Sequence, residues 1–244
     1  MEFDELLGLM RRRRSVRKFK PDPVPDEYIE KILDAARWAM SGANGQPWEF
    51  IVVKDKATIK KLAEMHAVNN RRNYVIESTR VPEMRHPSYL KPSEGLPGFA
   101  TAPVLIMVCA DPRVLQASTI PFHFYGGGEG GPLGTYYKNI ANCTQYIHLA
   151  AAALGLGSQW ASVNNSWEPQ IRRLLEIPDV ISVHTIVPIG YPDYKVPPPY
   201  RRKLQEMVHY EKYDQSKYRT EEDIRDYIME LRRKTVQSYD VKDK

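Results

Sequence analysis

The sequence predicts an α+β fold in which helices cover both faces of a central sheet. Residues 102–110, APVLIMVCA, form a continuous apolar run, which is typical of a strand buried on both faces. Residues 26–40 place apolar side chains at the spacing of one helical stripe. Residues 133–154 predict a long helix that is apolar almost all round from Leu149 onward, so we expect it in the centre of the fold or at a subunit interface.

The N-terminal elements follow from apolar spacing and from proline. Residues 3–13 predict a short helix, and residues 15–25 predict an extended segment because three prolines disfavour helix in the residue before each of them. Asp26 then begins a helix that Gly42 and Gly45 end. Its predicted buried stripe consists of Ile29, Ile32, Leu33, Ala36 and Met40.

The middle of the chain alternates short regular elements with longer loops. Residues 50–53 predict a core strand and residues 56–66 a second amphipathic helix. Residues 69–98 are polar and contain four prolines, so we interpret them as a loop or lid. Residues 119–137 hold a formal G-x-G-x-x-G, but Pro132 follows at once and no acidic residue stands where a ribose would need it. We interpret this stretch as a flexible loop beside a ligand pocket, or equally as aromatic residues that join the core.

The C-terminal half continues with shorter elements. We predict a strand over residues 159–163, a short helix over 168–176 and a strand over 183–190. Pro188 lies inside that last strand, which favours an edge position or a bulge. Residues 220–223 form a capping box that begins a final helix, and its apolar stripe is expected to pack on the same domain or on a second subunit.

Composition limits the classes of protein to consider. The 244 residues are 42% hydrophobic and 27% charged, an ordinary globular balance with a net charge of +5. Two cysteines make a disulfide framework unexpected and fit a reducing cytoplasm. No apolar run is long enough to span a membrane, the N-terminus lacks a signal-peptide layout, and we expect no metal site because no His/Cys spacing suits zinc.

Two polar motifs, one on each side of the first amphipathic helix, suggest a ligand. Arg13, Arg14, Ser15 and Arg17 offer guanidinium groups and a hydroxyl, which suit a phosphate. Asn44 and Gln46 offer amides and backbone N–H groups for the polar edge of a flat heterocycle. Together the motifs indicate a mononucleotide-like cofactor. Taken alone, the arginines also fit a solvated basic face or a nucleic-acid patch.

These two motifs and four others resemble the FMN-binding nitroreductase superfamily in order and spacing. Three of the six lie in the first fifty residues and three in the second half of the chain, so the resemblance covers most of the chain. They are residues 13–17 (RRSVR), 21–25 (PDPVP), 44–48 (NGQPW), 153–160 (ALGLGSQW), 188–192 (PIGYP) and 201–206 (RRKLQE).

The resemblance implies several groups of cofactor-binding residues. The FMN phosphate and ribityl chain would be held by Arg13, Arg14, Ser15 and Arg17, and Arg201 or Arg202 would close the phosphate site. The isoalloxazine would be lined, from the partner subunit, by Gly42, Ala43, Asn44 and Gln46. Asn142 or Gln145 would reach the ribityl or pyrimidine side. The backbone near the reactive flavin nitrogen would be that of Ser162 and Val163.

Two features bear on the substrate. Many members of the superfamily have two glycines where this chain has Ser162-Val163, which narrows the space above the flavin. His123 and Tyr125, in the glycine-rich stretch, are candidate substrate contacts. No nucleophilic side chain is expected, because the cofactor carries the chemistry.

The resemblance implies a nitroreductase-like three-layer sandwich with a mostly antiparallel sheet, forming a domain-swapped homodimer. It divides the chain into an FMN-binding domain over residues 1–214, with a lid or insert over 70–131, and a helical extension over 215–244. The implied activity is ping-pong electron transfer from NADH or NADPH to a nitroaromatic, quinone or similar planar acceptor in the cytoplasm. The alternatives are a reductive dehalogenase, an enone-type reductase, a non-catalytic flavin carrier and, least favoured, a nucleic-acid-binding protein. We expect neither nucleic acid nor a membrane as a partner.

Overall fold

The computed structural model describes residues 2–86, 89–92, 94–117, 120 and 131–240, with side chains given up to residue 234. These residues belong to two compact units. The first unit combines Met1–Ala67 with Leu96–Val196, and the second combines Val68–Gly95 with Pro197–Lys244. Among the described residues, no helix is both long and apolar enough to cross a membrane.

The first unit is built on one five-stranded sheet. Its strands are β1 (Trp48–Val53), β2 (Val104–Ala110), β3 (Gly157–Ser158), β4 (Ala161–Ser162) and β5 (Ser182–Gly190). The strand order is β1-β2-β5-β3, with β4 also paired to β5, and each of these pairings is antiparallel. The predicted antiparallel sheet is therefore confirmed.

The central strand β2 separates two hydrophobic layers. All of its residues are buried, and they alternate between the two layers as the pleat requires. Val104, Ile106 and Val108 pack with helices α2 (Asp26–Arg37) and α4 (Pro132–Ala153). Leu105, Met107 and Cys109 pack with the start of helix α3 (Lys56–Glu77) and with helix α5 (Glu168–Leu174). The result is the predicted α+β sandwich of helix, sheet and helix.

Pro188 was predicted to mark an edge strand or a bulge, and the edge position is wrong because β5 lies inside the sheet. The register shift between β2 and β5 lies between Val108 and Cys109, opposite residues 183–185, and not at Pro188. On one side Pro188 is opposite Leu105 of β2. On the other side, β3 pairs with residues 189–190 and β4 with residues 185–186, so Pro188 faces the interruption between these short strands. Proline removes a backbone donor, and that interruption is where a missing donor costs least. The predicted single strand over 159–163 is likewise replaced by these two short strands.

Two predicted helix boundaries also need correction. Helix α2 ends at Arg37, before the glycines of the following turn, and Met40 is 77% exposed instead of completing the buried stripe. Helix α3 runs to Glu77, so the predicted loop over residues 69–98 is helical in its first part. Its prolines begin only at Pro82, and the polar residues before them are compatible with an exposed helix.

The second unit contains the end of α3 and the final helix α6 (Glu221–Asp240). The predicted capping box is present: Thr220 Oγ1 accepts a hydrogen bond from Asp223 N–H at 3.2 Å, and Asp223 accepts one from Thr220 N–H at 2.8 Å. Near the end of α3, Glu77 accepts hydrogen bonds from Arg80 and from the backbone of His86. These bonds hold the pKa of Glu77 below its ordinary value.

Candidate functional site

Residues 13–17, called here the basic arm, join helix α1 (Phe3–Arg12) to the extended segment before α2. The arm lies beside strand β3: Ser15 forms a parallel bridge with Ser158, and Val16 N–H donates to Ser158 O at 2.9 Å. The Val16 side chain is buried, whereas Arg13, Arg14, Ser15 and Arg17 are only partly buried. The sheet therefore fixes the backbone, and the polar side chains border its surface.

Further hydrogen bonds fix the end of the arm and the residues that follow it. Arg17 N–H donates to Tyr194 Oη at 3.3 Å, and Phe19 N–H donates to Thr101 Oγ1 at 2.8 Å. Gly98 packs directly on the Arg17 backbone, since a Cβ at this position would lie 1.7 Å from Arg17 O. Only glycine permits this approach. The arm is consequently a preorganised segment of the fold.

Arg14 makes its hydrogen bonds within its own segment. Arg14 donates from Nη1 to the carbonyl oxygens of Arg11 and, at 3.0 Å, Arg13, so its guanidinium turns back on its own segment. Its Nε is buried and has no hydrogen-bond partner in the described part of the chain. Guanidinium donors and the Ser15 hydroxyl in one rigid segment suit an anion such as phosphate.

A buried polar pair lies behind the arm. His148 of α4 and Ser158 of β3 approach at 2.8 Å between Nδ1 and Oγ, and both residues are buried. Burial, and to a smaller extent the charge of Arg13, lower the pKa of His148 to about 4. His148 is therefore neutral at pH 7. Sequence reasoning missed both residues, because a single histidine in an apolar helix and a serine after glycine carry no distinctive pattern.

Residues 42–46, called here the amide turn, contain three residues with unusual backbone geometry. The φ angles of Ala43, Asn44 and Gln46 are 52°, 52° and 43°. Left-handed conformations at non-glycine residues cost of order 1–3 kcal/mol each and concentrate at ligand sites. Gln46 N–H donates to Ser41 Oγ, and Gln46 Nε2 donates to Asn44 Oδ1, both at 3.1 Å. The turn is thus strained and internally braced.

Helix α4 holds the amide turn in place. Gly42 N–H donates to Asn139 Oδ1 at 3.1 Å, and Asn142 Nδ2 donates to Met40 O at 3.2 Å. A Cβ at Gly42 would lie 2.7 Å from Thr135 Cγ2, so the turn packs closely on the helix. Asn142, predicted as a cofactor contact, supports the turn of its own chain in this structure. Asn139 was not predicted, although its spacing of three from Asn142 on a largely apolar helix is a usable signal.

The remaining predicted residues of the first unit lie on α4, on β4 and directly after β4. Gln145 is exposed on α4, and Ser162 is exposed on β4. Val163 N–H donates to His184 O at 3.0 Å, so this backbone donor is already engaged. The Ser162 hydroxyl accepts from Trp160 Nε1 at 3.2 Å. Of the two residues, Ser162 is the more accessible to a ligand.

Arg201 and Arg202 belong to the second unit. Arg201 Nη1 donates to Tyr200 O at 2.8 Å, and Arg202 donates to Glu206 O at 3.0 Å while lying 3.4 Å from the Glu206 carboxylate. His123 and Tyr125, predicted as substrate contacts, lie outside the described residues.

A partly buried polar cluster, also missed by sequence reasoning, joins α4 to the start of β5. Ser182 Oγ lies 2.8 Å from Tyr136 Oη and 2.7 Å from His184 Nε2. Burial raises the pKa of Tyr136 to about 12 and lowers the pKa of His184. All three groups are therefore neutral at pH 7 and act as a hydrogen-bonded brace.

Comparison with known proteins agrees with this geometry. The model of the Nitroreductase family matches residues 10–191, which include the basic arm, the amide turn and the whole sheet. The chain belongs to the Nitroreductase family and is an oxidoreductase.

Two relatives illustrate the range within this family. An Archaeoglobus fulgidus protein, provisionally named NADH dehydrogenase/NAD(P)H nitroreductase, is 32% identical over 78% of this chain and 86% of its own. The iodotyrosine deiodinase of Nematostella vectensis is 30% identical over 84% of this chain and 74% of its own.

Solved structures of similar proteins share this fold. An FMN-dependent nitroreductase from Clostridium difficile is 27% identical, with a TM-score of 0.58 over 85% of this chain and 99% of that one. A Bacteroides thetaiotaomicron structure of the same provisional name as the Archaeoglobus protein is 26% identical, with a TM-score of 0.61 over 87% of this chain and 100% of that one.

Proposed function

We propose that this oxidoreductase binds FMN and transfers electrons, in a ping-pong cycle, from NADH or NADPH to a nitroaromatic, a quinone or a similar planar acceptor. The basic arm carries the proposal. It presents several cationic donors and a hydroxyl from a backbone that the sheet holds in place. A phosphate dianion requires such donors, because an unpaired charge near a protein core is costly. The FMN-dependent Clostridium difficile structure supports the choice of this cofactor.

Different residues of this chain would bind different parts of FMN. Arg13, Arg17 and Ser15 would bind the phosphate, and Arg14 would bind it after leaving its backbone partners. Gln145 would reach the ribityl or pyrimidine side, whereas Asn142 would act through the amide turn.

The amide turn suits the polar edge of the isoalloxazine. Asn44 and Gln46 are exposed, and the strain at Ala43 holds their backbone groups in fixed directions. Bound FMN would supply the hydride-accepting and electron-donating chemistry. The protein would orient both substrates beside Ser162 and Val163 and exclude water from them.

We further propose a homodimer in which the amide turn of one protomer completes the site of the other. Large apolar side chains are exposed just before the turn, on α4 and just before β4, and exposed apolar surface of this kind is typical of interfaces. Their exposed fractions are 70% for Trp38, 77% for Met40, 52% for Tyr137, 40% for Tyr146 and 41% for Trp160.

Anaerobic spectroscopy tests the proposed function. The FMN-loaded protein should show oxidised flavin bands that bleach with NADH or NADPH and return when a nitroaromatic or quinone is added. Each half-reaction should proceed without the other substrate, as a ping-pong cycle requires. Bands that bleach with dithionite but with neither nicotinamide would contradict the proposed donor, and a protein that takes up no FMN would contradict the cofactor.

Reductive dehalogenation is a second candidate, favoured by the deiodinase relative from Nematostella vectensis. Ser162-Val163 narrows the space above the flavin and would select a particular ring orientation. A halogenated phenol should then reoxidise the dithionite-reduced protein with release of halide, while nitroaromatics react poorly. Faster reoxidation by nitroaromatics, with no halide released, would decide against this candidate.

A further inference from the structure

The hydrogen-bonded pair of His148 and Ser158 connects helix α4 to the strand beside the basic arm. The two residues are 4% and 2% exposed, and their side chains approach at 2.8 Å. His148 belongs to α4, a helix that packs on the central core through Ile140, Cys143 and Ile147. Ser158 belongs to β3, the strand that contacts the basic arm. The hydrogen bond therefore links the strand beside the arm to a helix that is packed into the core.

Strand β3 needs such a link because it is short. It has two residues, which pair with Gly190 and Ile189 of β5. A pairing of this length supplies few hydrogen bonds, so tertiary contacts decide where the strand lies. If β3 moved, the backbone of the arm would move with it, because the two are in direct contact. Ser158 O binds Val16 N–H, and a Cβ at Gly157 would lie 2.6 Å from Val16 Cγ2.

The pair is uncharged, so it neither repels nor neutralises the cationic side chains of the arm. With its pKa lowered to about 4, His148 carries no charge at pH 7 and does not repel Arg13. A carboxylate in its place would pair with Arg13 and compete with an anionic ligand. A neutral imidazole bound to a hydroxyl fixes the backbone and leaves the charge of the arm for the ligand.

We propose that His148 and Ser158 are positioning residues that set the basic arm at the spacing a phosphate requires, and that they thereby favour phosphorylated over unphosphorylated flavin. This inference rests on the proposed binding of FMN. Neither side chain touches the ligand. Both act through the hydrogen bond between Ser158 O and Val16 N–H.

Titration of the flavin-free protein with FMN and with riboflavin tests the pair. His148→Leu and Ser158→Ala should each weaken FMN binding about tenfold, the scale of one hydrogen bond, and change riboflavin binding less than about twofold. His148→Asn, which can place an amide oxygen close to the position of Nδ1, should recover most of the FMN affinity. The double variant should be no weaker than the single variants, because both remove the same bond.

Thr144→Val provides the matched control on the same helix. Thr144 is fully buried and donates from Oγ1 to Ile140 O, so the change removes a buried hydrogen bond without touching β3. It should leave the ratio of FMN to riboflavin affinity unchanged. The inference is overturned if the His148 and Ser158 variants weaken both flavins equally or neither. A wild-type protein that binds neither flavin contradicts the proposed function itself.

Discussion

At the residue scale, cofactor binding depends on which side chains of one extended segment face the ligand. Arg17 and Lys18 are neighbours with the same charge and opposite surroundings. Arg17 is partly buried in the basic arm, whereas the Lys18 side chain is 65% exposed and forms an ion pair with Asp193 at 2.7 Å. Alternation along an extended chain places them on opposite sides. They therefore form a natural pair for mutagenesis.

We expect Arg17→Ala to weaken FMN binding by about ten- to a hundredfold, because a charge-assisted hydrogen bond contributes about 1.5–3 kcal/mol. Lys18→Ala removes the same charge from the protein and should change the FMN dissociation constant less than about twofold. Fluorescence titration at fixed ionic strength measures both. Equal losses in the two variants would mean that net charge, and not the arm, attracts the cofactor.

A partly buried histidine away from the site predicts how stability depends on pH. His66 contacts the rings of Phe99 and Trp167 at 5.1 and 5.4 Å between centroids. Burial lowers the pKa of His66 from 6.5 to about 4. The unfolded chain therefore takes up a proton before the folded one as pH falls, so stability is lost between pH 6.5 and 4.

His66→Gln removes this dependence. Between pH 7 and pH 5 the wild type should lose about 2 kcal/mol more unfolding free energy than the variant, from linkage at this one group. Urea unfolding at the two pH values measures the difference, and carboxylates contribute equally to both proteins. Identical losses would show that His66 is accessible to protons in the folded state.

At the element scale, sequence patterns predicted the buried core well and the local supports of the site less well. The apolar run of β2 and the stripe of α2 identified both hydrophobic layers, because burial leaves a periodic mark on sequence. The predicted end of α2 and the predicted edge position of Pro188 were wrong, since both depend on neighbouring strands and turns. Asn139 was missed because its partner Gly42 is distant in sequence, and the His148–Ser158 pair was missed because neither residue alone carries a distinctive pattern.

The strained amide turn makes an element-scale prediction. Ala43 has φ 52°, where glycine has no steric penalty, so Ala43→Gly should stabilise the folded protein by about 1 kcal/mol. Ala35→Gly, inside α2, should destabilise it by about 1 kcal/mol. Chemical unfolding of the two flavin-free variants provides the comparison. Destabilisation by Ala43→Gly would show that the turn is not strained in solution.

At the scale of the whole molecule, the proposed dimer depends on exposed apolar side chains, of which Tyr146 on α4 is one. Tyr146 lies one helical turn beyond Asn142, which bonds to Met40 O just before the amide turn. Tyr210, in the second unit, is 83% exposed and provides an aromatic control that is more exposed still. The division into a cofactor domain over residues 1–214 and a helical extension over 215–244 stays a prediction, as does a cytoplasmic location.

We expect Tyr146→Glu to dissociate the dimer and weaken FMN binding together, because a buried carboxylate is costly at an apolar interface. Tyr210→Glu should leave both properties unchanged. Sedimentation velocity and FMN titration on the same samples measure them. A wild-type protein that is monomeric and binds FMN tightly would contradict the shared site.

The most direct measurement is the affinity of the wild-type, flavin-free protein for FMN relative to riboflavin. The two ligands differ only in the phosphate that the basic arm is proposed to bind. Two or more charge-assisted hydrogen bonds predict that FMN binds at least about a hundredfold more tightly, with a preference that falls as salt is raised. Equal affinity for the two flavins would contradict the central claim that this arm is a phosphate site.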